Sequence, residues 1–454
     1  MKKKRYFFKI IYLALMLAVT IMCCKVTCKA EDMMDVDKNG EICKKPQVNI
    51  LLVGNSLTKC GIHNRGRTVQ RHLENMAASS GENVYVQTIA HGGAALKGYA
   101  GMVPQKKKRA KEFQKALKSR RWDYVILQEK TKLYYSKVEE YSLPAIEILL
   151  EEIEKAAPEA KVLMYLPRGY DSYGGKQITS EEALQMEAHI GAAGLRLEEE
   201  FGMDLIPVGM QFYRCGILYP DINLLGADKK HPTRAGYFLT AGCIYQKIFG
   251  VQPVISKEML QHAEISKEEA GQLLGLWGTG ITSNQVEVLL HKGEKAVMEM
   301  NIPESVSGTK VRFSSMDENV AVVDGISGEI TAVSGGMTVI MAETIEGWQT
   351  YCTVYVPYDR PTEITTSIKT AVKEDGQNIT SVILRWKKQP GAKYEVYRSK
   401  SQKGPYTLLG KTRKRKFEDT TAAPGQTWYY KIVAVNGYSA CKSKKSQETA
   451  VVVP

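Results

Sequence analysis

The sequence predicts an α/β domain built on a doubly wound parallel sheet, followed by two all-β sandwich modules. Three observations carry this. Between residues 48 and 250, five short apolar runs alternate with longer stretches of helical period. After residue 286, short alternating strands separated by Gly, Asp and Asn turns take over. The chain has 454 residues, 44% hydrophobic and 24% charged, which is too long for one ordinary domain and too apolar for disorder.

The elements follow in order. Residues 1–30 hold seven bases (Lys2, Lys3, Lys4, Arg5, Lys9, Lys25, Lys29) and no acid, so the formal charge of +13 falls to +6 without them. Their layout is that of a secretory signal: a basic start, an apolar run of 15 residues from Ile10 to Cys24, and Cys28-Lys29-Ala30 as a cleavage site before Glu31-Asp32. That run is shorter than the ~20 residues that span a bilayer, so the expectation is an exported, soluble chain, secreted or held at the cell surface. It would meet a membrane only if the leader stays uncleaved. Residues 31–47 read as a linker in which Asp35, Asp37, Asn39, Gly40 and Glu41 copy the first half of a calcium-binding loop. Pro46 stands where that loop needs its bidentate Glu, which favours a plain polar linker.

The strands are expected at 48–54, 84–90, 124–128, 161–167 and 204–209, each apolar almost throughout, as strands buried on both faces are. Helices are expected at 69–79, 105–119, 144–156, 180–201 and 235–249, with a polar helical stretch to about 278. The β modules are placed at 280–357 and 361–454, divided near Pro357 and Pro361. Cys43, Cys60, Cys215, Cys243, Cys352 and Cys441 remain after the leader, scattered singly, so neither a zinc site nor a dense disulfide framework is indicated.

Candidate chemistry gathers at strand ends, where such sheets put their ligands. The first strand closes in Gly54-Asn55-Ser56-Leu57-Thr58. Ser56 there is either a nucleophile or an ordinary turn residue. Asp228-Lys229-Lys230-His231-Pro232 precedes the last helix, and an Asp three residues before a His can orient the imidazole that takes a proton from a serine; alternatively the pair merely caps the helix. Gly92-Gly93, after the second strand, let a backbone N–H approach an oxyanion, as they would serve any tight turn. Gln128 closes the third strand in Leu127-Gln128-Glu129, with an amide able to donate to the same oxyanion or to satisfy backbone groups. The combination favours chemistry, because one fold would bring all four together.

On those residues the stretch 48–250 resembles the SGNH (GDSL-like) hydrolase superfamily, and within it a bacterial secreted branch. The resemblance implies a flavodoxin-like five-stranded parallel sheet, Ser56 as nucleophile, Asp228 and His231 as orienter and base, and an oxyanion site from the Ser56 N–H, the N–H of Gly92 or Gly93, and Gln128. The family's usual Gly-x-Asn-Asp block is replaced here by Leu127-Gln128-Glu129. The expected function is a serine esterase that works through an acyl-enzyme and needs no metal or cofactor. Its expected substrate is a small acyl ester or an acylated carbohydrate, most simply an O-acetyl group. A lipase or thioesterase, and a non-catalytic adhesin or glycan-binding protein, are the rivals.

Further along, Phe313-Ser314-Ser315, Asn319-Val320-Ala321-Val322-Val323-Asp324 and Gly328-Glu329-Ile330-Thr331-Ala332 resemble a bacterial Ig-like group 2 domain. Trp386, Tyr394-Glu395-Val396-Tyr397-Arg398-Ser399 and Trp428-Tyr429-Tyr430-Lys431-Ile432 are similar to a fibronectin type III domain. Such modules imply spacing or display of a catalytic domain. The basic runs Lys106-Lys107-Lys108-Arg109 and Arg413-Lys414-Arg415-Lys416 read as solvated faces able to attract an anionic cell-wall polymer. Without interleaved aromatics or a binding fold they do not indicate nucleic acid. The remaining histidines form no metal-ligand spacing, and His91 is placed near the cleft.

Overall fold

A computed structural model describes residues 45–59, 68–170, 172–173, 176–177, 179–278, 280–306, 308–372 and 378–454. The leader and the calcium-loop look-alike lie outside the described residues. Five strands, β1 (Val48–Gly54), β2 (Val84–Ala90), β3 (Tyr124–Gln128), β4 (Lys161–Tyr165) and β5 (Asp204–Ile206), pair in parallel in the order β2-β1-β3-β4-β5. That is the flavodoxin-like doubly wound order, with its switch point beside β1. Ile50, Leu52, Ile126 and Leu163 pack one face and Leu51, Val53, Val125 and Leu127 the other, all at most 1% exposed. Burial on both faces is why these strands read as unbroken apolar runs.

The helices are α1 (Val69–Ser79), α2 (Leu96–Tyr99), α3 (Lys107–Leu117), α4 (Thr131–Lys137), α5 (Leu143–Ala156), α6 (Ser180–Phe201), α7 (Val208–Leu218), α8 (Arg234–Phe249), α9 (Lys257–Ala263) and α10 (Lys267–Gly275). α1, α7 and α8 cover the first face of the sheet, and α3, α5 and α6 cover the second. Capping boxes start α6 at Thr179 with Glu182 and α10 at Ser266 with Glu269.

Two expected strands are shorter than anticipated. β4 stops at Tyr165 and β5 at Ile206, and Gly209 lies inside α7. The Gly209 N–H donates to the Leu166 carbonyl at 3.0 Å, and a Cβ there would sit 2.7 Å from the Pro167 carbonyl oxygen, so only glycine lets α7 start this close to the end of β4. No helix among the described residues is long and apolar enough to cross a membrane.

Beyond α10 the chain is all β and antiparallel except where Gln349–Val356 pairs in parallel with Glu287–Leu289. The first of these β regions does not hang on a free spacer. Ala188 and Ala192 of α6 share a buried cluster with Met316, Val339, Met341 and Tyr351. A Cβ on Gly191 would collide with the Tyr351 ring, so a smooth helix face is what admits it. Arg214 of α7 stacks 3.5 Å over the Trp348 ring and donates to the Glu346 carbonyl at 3.2 Å, while Arg196 of α6 bridges Glu139 at 2.7 Å and Glu287 at 3.1 Å. The second β region gathers Trp386, Tyr394, Trp428 and Tyr430 in a core that also takes in Tyr355 of the first β region and Tyr358 at the junction. Cys215, Cys243, Cys352 and Cys441 are free and buried.

Candidate active site

The turn after β1 is gripped from four sides. The Asn55 N–H donates to Gln128 Oε1 at 3.0 Å, and the Thr58 hydroxyl donates to the same oxygen at 3.2 Å. Asn55 Nδ2 donates to the Ala94 carbonyl at 3.1 Å, and its Oδ1 accepts the Leu57 N–H at 3.1 Å. Tyr99 donates to the Gly54 carbonyl at 2.7 Å and Tyr237 to the Ser56 carbonyl at 2.9 Å. Gly54 has no alternative here, because a Cβ would lie 2.6 Å from Thr58 Oγ1 and 2.7 Å from Gln128 Oε1. The result is a half-buried Ser56 presented on a rigid, buried turn.

The partner loop comes from the start of α8. Thr233 caps that helix through the Gly236 N–H, and a bridge between Leu225 and Pro232 closes the loop into a short antiparallel pinch. Within it, Asp228 Oδ1 accepts the N–H groups of Lys230 at 3.0 Å and His231 at 2.9 Å, while Oδ2 lies 2.5 Å from His231 Nδ1. Partial burial works to raise the Asp228 carboxyl. The His231 ring and the two backbone N–H groups outweigh it and hold the group down at about 2. His231 Nε2 then faces Ser56 Oγ at 2.9 Å. With Nδ1–H given to a carboxylate, Nε2 is left as the acceptor for the serine proton. The structure thus brings Ser56, His231 and Asp228 into one hydrogen-bonded chain across 175 residues of sequence.

Gly92 and Gly93 lie exposed beside this turn, with Gly93 at φ 64°, and among the described residues neither N–H, nor that of Ser56, has a protein acceptor. Gln128 differs from the expectation. It is 1% exposed, its Oε1 carries the Asn55 and Thr58 donors, and its Nε2 donates to the Glu129 carbonyl. Its amide supports the Ser56 turn from within the protein instead of opening to the cleft. His91 is drawn toward α3 by Glu112, 2.7 Å away.

Sequence inspection missed Tyr99, Tyr237 and the support role of Asn55 and Thr58. Asn55 and Thr58 could have been suspected from their place in the strand-end motif. Nothing local marks the two tyrosines. Beyond the acid–base loop, a cavity of about 440 Å³ opens between α6 and α7, lined by Leu184, Phe212, Gly216, Ile217, Leu224 and Lys229 among others. Among the described residues no group of three or more His, Cys, Asp or Glu side chains is placed to hold a metal ion.

No family model matches the chain, and no curated protein does. Among solved structures it is similar to a DUF4886 family protein from Bacteroides uniformis, with 15% identity, 52% of this chain and 98% of that one covered, and a TM-score of 0.41. It is also similar to a protein from Slackia heliotrinireducens described as a candidate SGNH hydrolase, with 23% identity, 45% and 100% covered, and a TM-score of 0.35. The C-terminal part is similar to a Fn3-like protein from Clostridium thermocellum, with 28% identity, 21% and 91% covered, and a TM-score of 0.16.

Proposed function

We propose that the chain is a serine ester hydrolase of SGNH type, acting on small acyl groups carried by an alcohol or a carbohydrate. The observation that carries the proposal is the relay of 2.9 Å from Ser56 Oγ to His231 Nε2 and 2.5 Å from His231 Nδ1 to Asp228. In this mechanism His231 takes the Ser56 proton as Oγ attacks the ester carbonyl, and returns it to the leaving alcohol. The acyl-enzyme is then hydrolysed by water with His231 again as base. Asp228 stays ionised and holds the imidazole tautomer. The oxyanion is received by the free N–H of Ser56 and by that of Gly92 or Gly93, with Gln128 acting behind the turn.

Export to the cell exterior, expected from residues 1–30, and an acylated wall or plant polysaccharide as substrate belong to the same proposal. A second reading, hydrolysis of longer acyl chains, is favoured by the apolar side chains of the neighbouring cavity. The decisive experiment compares the wild type with Ser56→Ala on a chromogenic acetyl ester and on a fluorophosphonate probe. The wild type is expected to turn over the ester and to gain one phosphonyl group, and Ser56→Ala to lose roughly 10⁶-fold in kcat and to take up no label. Equal turnover by both proteins would leave the non-catalytic adhesin as the better account.

A further inference from the structure

Glu129, next to Gln128, is 0% exposed, and the ester mechanism makes no use of it. Its Oε1 accepts the N–H of Leu96 at 3.0 Å and of Lys130 at 2.6 Å. Leu96 closes the segment that begins at Gly92 and Gly93, and Ala94 of that segment is held at its carbonyl by Asn55. Glu129 therefore ties the end of β3 to the loop that presents the candidate oxyanion N–H groups. Its other oxygen, Oε2, is buried with no hydrogen-bond partner among the described residues. The hydroxyls of Tyr134 and Ser142, which act on this carboxyl, are buried as well.

The groups that act on the carboxyl from the elements around it are the Leu96 N–H and Lys97 of α2, the Lys130 N–H, Tyr134 of α4 and Ser142 at the start of α5. Lys97 lies 3.5 Å over the half-buried Tyr141 ring. A fully buried carboxylate with one oxygen unsatisfied is costly, whereas a neutral carboxylic acid keeps both N–H bonds at Oε1 and offers its own O–H to a hydroxyl oxygen. We propose that Glu129 is a positioning residue that fixes the oxyanion loop, and that it does so as a neutral acid donating from Oε2 to the buried hydroxyl oxygen of Ser142 or Tyr134. The inference rests on the ester-hydrolase proposal for its link to catalysis, though not for its link to the loop.

Burial pushes the Glu129 carboxyl up, against the pull of Lys130, Leu96, Ser142 and Lys97, to about 7. A group raised from 4.5 to about 7 on folding adds stability that is complete below pH 4.5 and lost as the pH rises through about 7. Gln at this position reproduces the neutral acid, with an oxygen that accepts and an N–H that donates, and cannot ionise.

The test uses the full chain as wild type, Glu129→Gln and Glu129→Ala, with Tm and kcat on an acetyl ester measured from pH 5 to 8. Glu129→Ala is expected to lose about 10²-fold in kcat with KM little changed, the scale of a reacting group displaced by about 1 Å. Glu129→Gln is expected to restore that loss. It should also flatten the decline of Tm between pH 5 and 7, so that the ratio of its kcat to that of the wild type climbs as the pH passes about 7. Equal loss of activity in both variants, or the same Tm slope in wild type and Glu129→Gln, overturns the proposal. Should Glu129→Ala fail to fold, the comparison of Glu129→Gln with wild type decides alone. The Tm profile needs no substrate, so failure of the ester proposal, read from Ser56→Ala, is distinguished from failure of this one.

Discussion

Two carboxyl groups flank the candidate nucleophile, and the protein treats them in opposite ways. Asp228 sits on an exposed loop, with its side chain 52% accessible, and collects three donors over its two oxygens, two backbone N–H groups and the His231 ring. Glu129 is sealed in the interior and collects two donors on one oxygen. Burial raises both, yet Asp228 ends at about 2 and Glu129 at about 7. What separates them is first how much water each loses, and then how many donors offset that loss. The loop builds a cage for a charge, and the interior suits a neutral acid. Such divergence between neighbouring titratable groups is the pattern by which one site holds one group ionised and another protonated.

The sharpest way to break this contrast is to remove each charge without removing the shape. Asp228→Asn keeps one acceptor oxygen but can no longer hold His231 in the tautomer that leaves Nε2 free. Its kcat is expected to fall roughly 10⁴-fold, with KM nearly constant. The isosteric change at Glu129 should cost little by comparison. The two groups also have opposite signs in acid. A carboxyl lowered to about 2 contributes stability that is present above its ordinary value of 3.8 and is lost as the pH falls through about 2, whereas Glu129 contributes more as the pH falls through 7. Thermal melts of Asp228→Asn and Glu129→Gln should therefore leave the wild type in opposite directions as the pH rises from acid: Asp228→Asn melts below it at neutral pH, whereas Glu129→Gln melts above it once the pH passes about 7. Profiles that shift in the same direction would mean that the two environments do not differ as described.

A smaller effect tests the turn that both groups serve. Gly54→Ala would press a methyl against Gln128 Oε1, which accepts the Asn55 N–H, and against Thr58 Oγ1, which donates to that same oxygen. Overpacking of this kind costs about 1–3 kcal/mol, read as a lowered Tm. Activity should fall further than stability alone explains, because the shift is passed to Ser56. A Tm drop with unchanged kcat would show that the turn tolerates movement and that Gln128 is packing only.

The sequence made part of this legible and hid the rest for physical reasons. The bounds of β1, β2 and β3 match the runs read from the sequence, most cleanly in β1 and β3, where burial on both faces leaves the strand interior apolar; β2, at the sheet edge, is half-buried and carries Gln87 and Thr88. β5 and α7 were merged, because Leu205, Ile206, Pro207 and Val208 look like one strand until tertiary contact bends the chain at Pro207. Ser56, Asp228 and His231 stand out because the Gly-Asn-Ser and Asp-x-x-His spacings mark them locally. In the sequence Glu129 reads only as the residue after Gln128, since its burial and its bond to Leu96 depend on a contact 33 residues away. The docking of α6 on Tyr351 was likewise invisible: Gly191 reads as a weak helix residue until the ring that covers it is in place.

The smallest expected effect concerns the cavity on the far side of the acid–base loop. Gly216 lies within α7 on its lining, exposed, and a Cβ there meets nothing within 4 Å. Gly216→Phe should fold at least as well as the wild type, because glycine in a helix interior costs about 0.5–1 kcal/mol relative to Ala and most other residues cost less. Its ring would occupy space that an acyl chain could use. Each methylene displaced from an apolar lining is worth about 0.8 kcal/mol, or a factor of ~4. If the cavity receives the acyl tail, kcat/KM on an octanoyl ester should drop several-fold while that on an acetyl ester hardly changes. If the cavity receives the alcohol or sugar, the two esters of one bulky alcohol should fall together. Unchanged rates on both would remove the cavity from the substrate path and leave the half-buried Ser56 and the exposed Gly92-Gly93 loop beside it as the binding surface, which suits an acetyl group on a polymer better than a lipid.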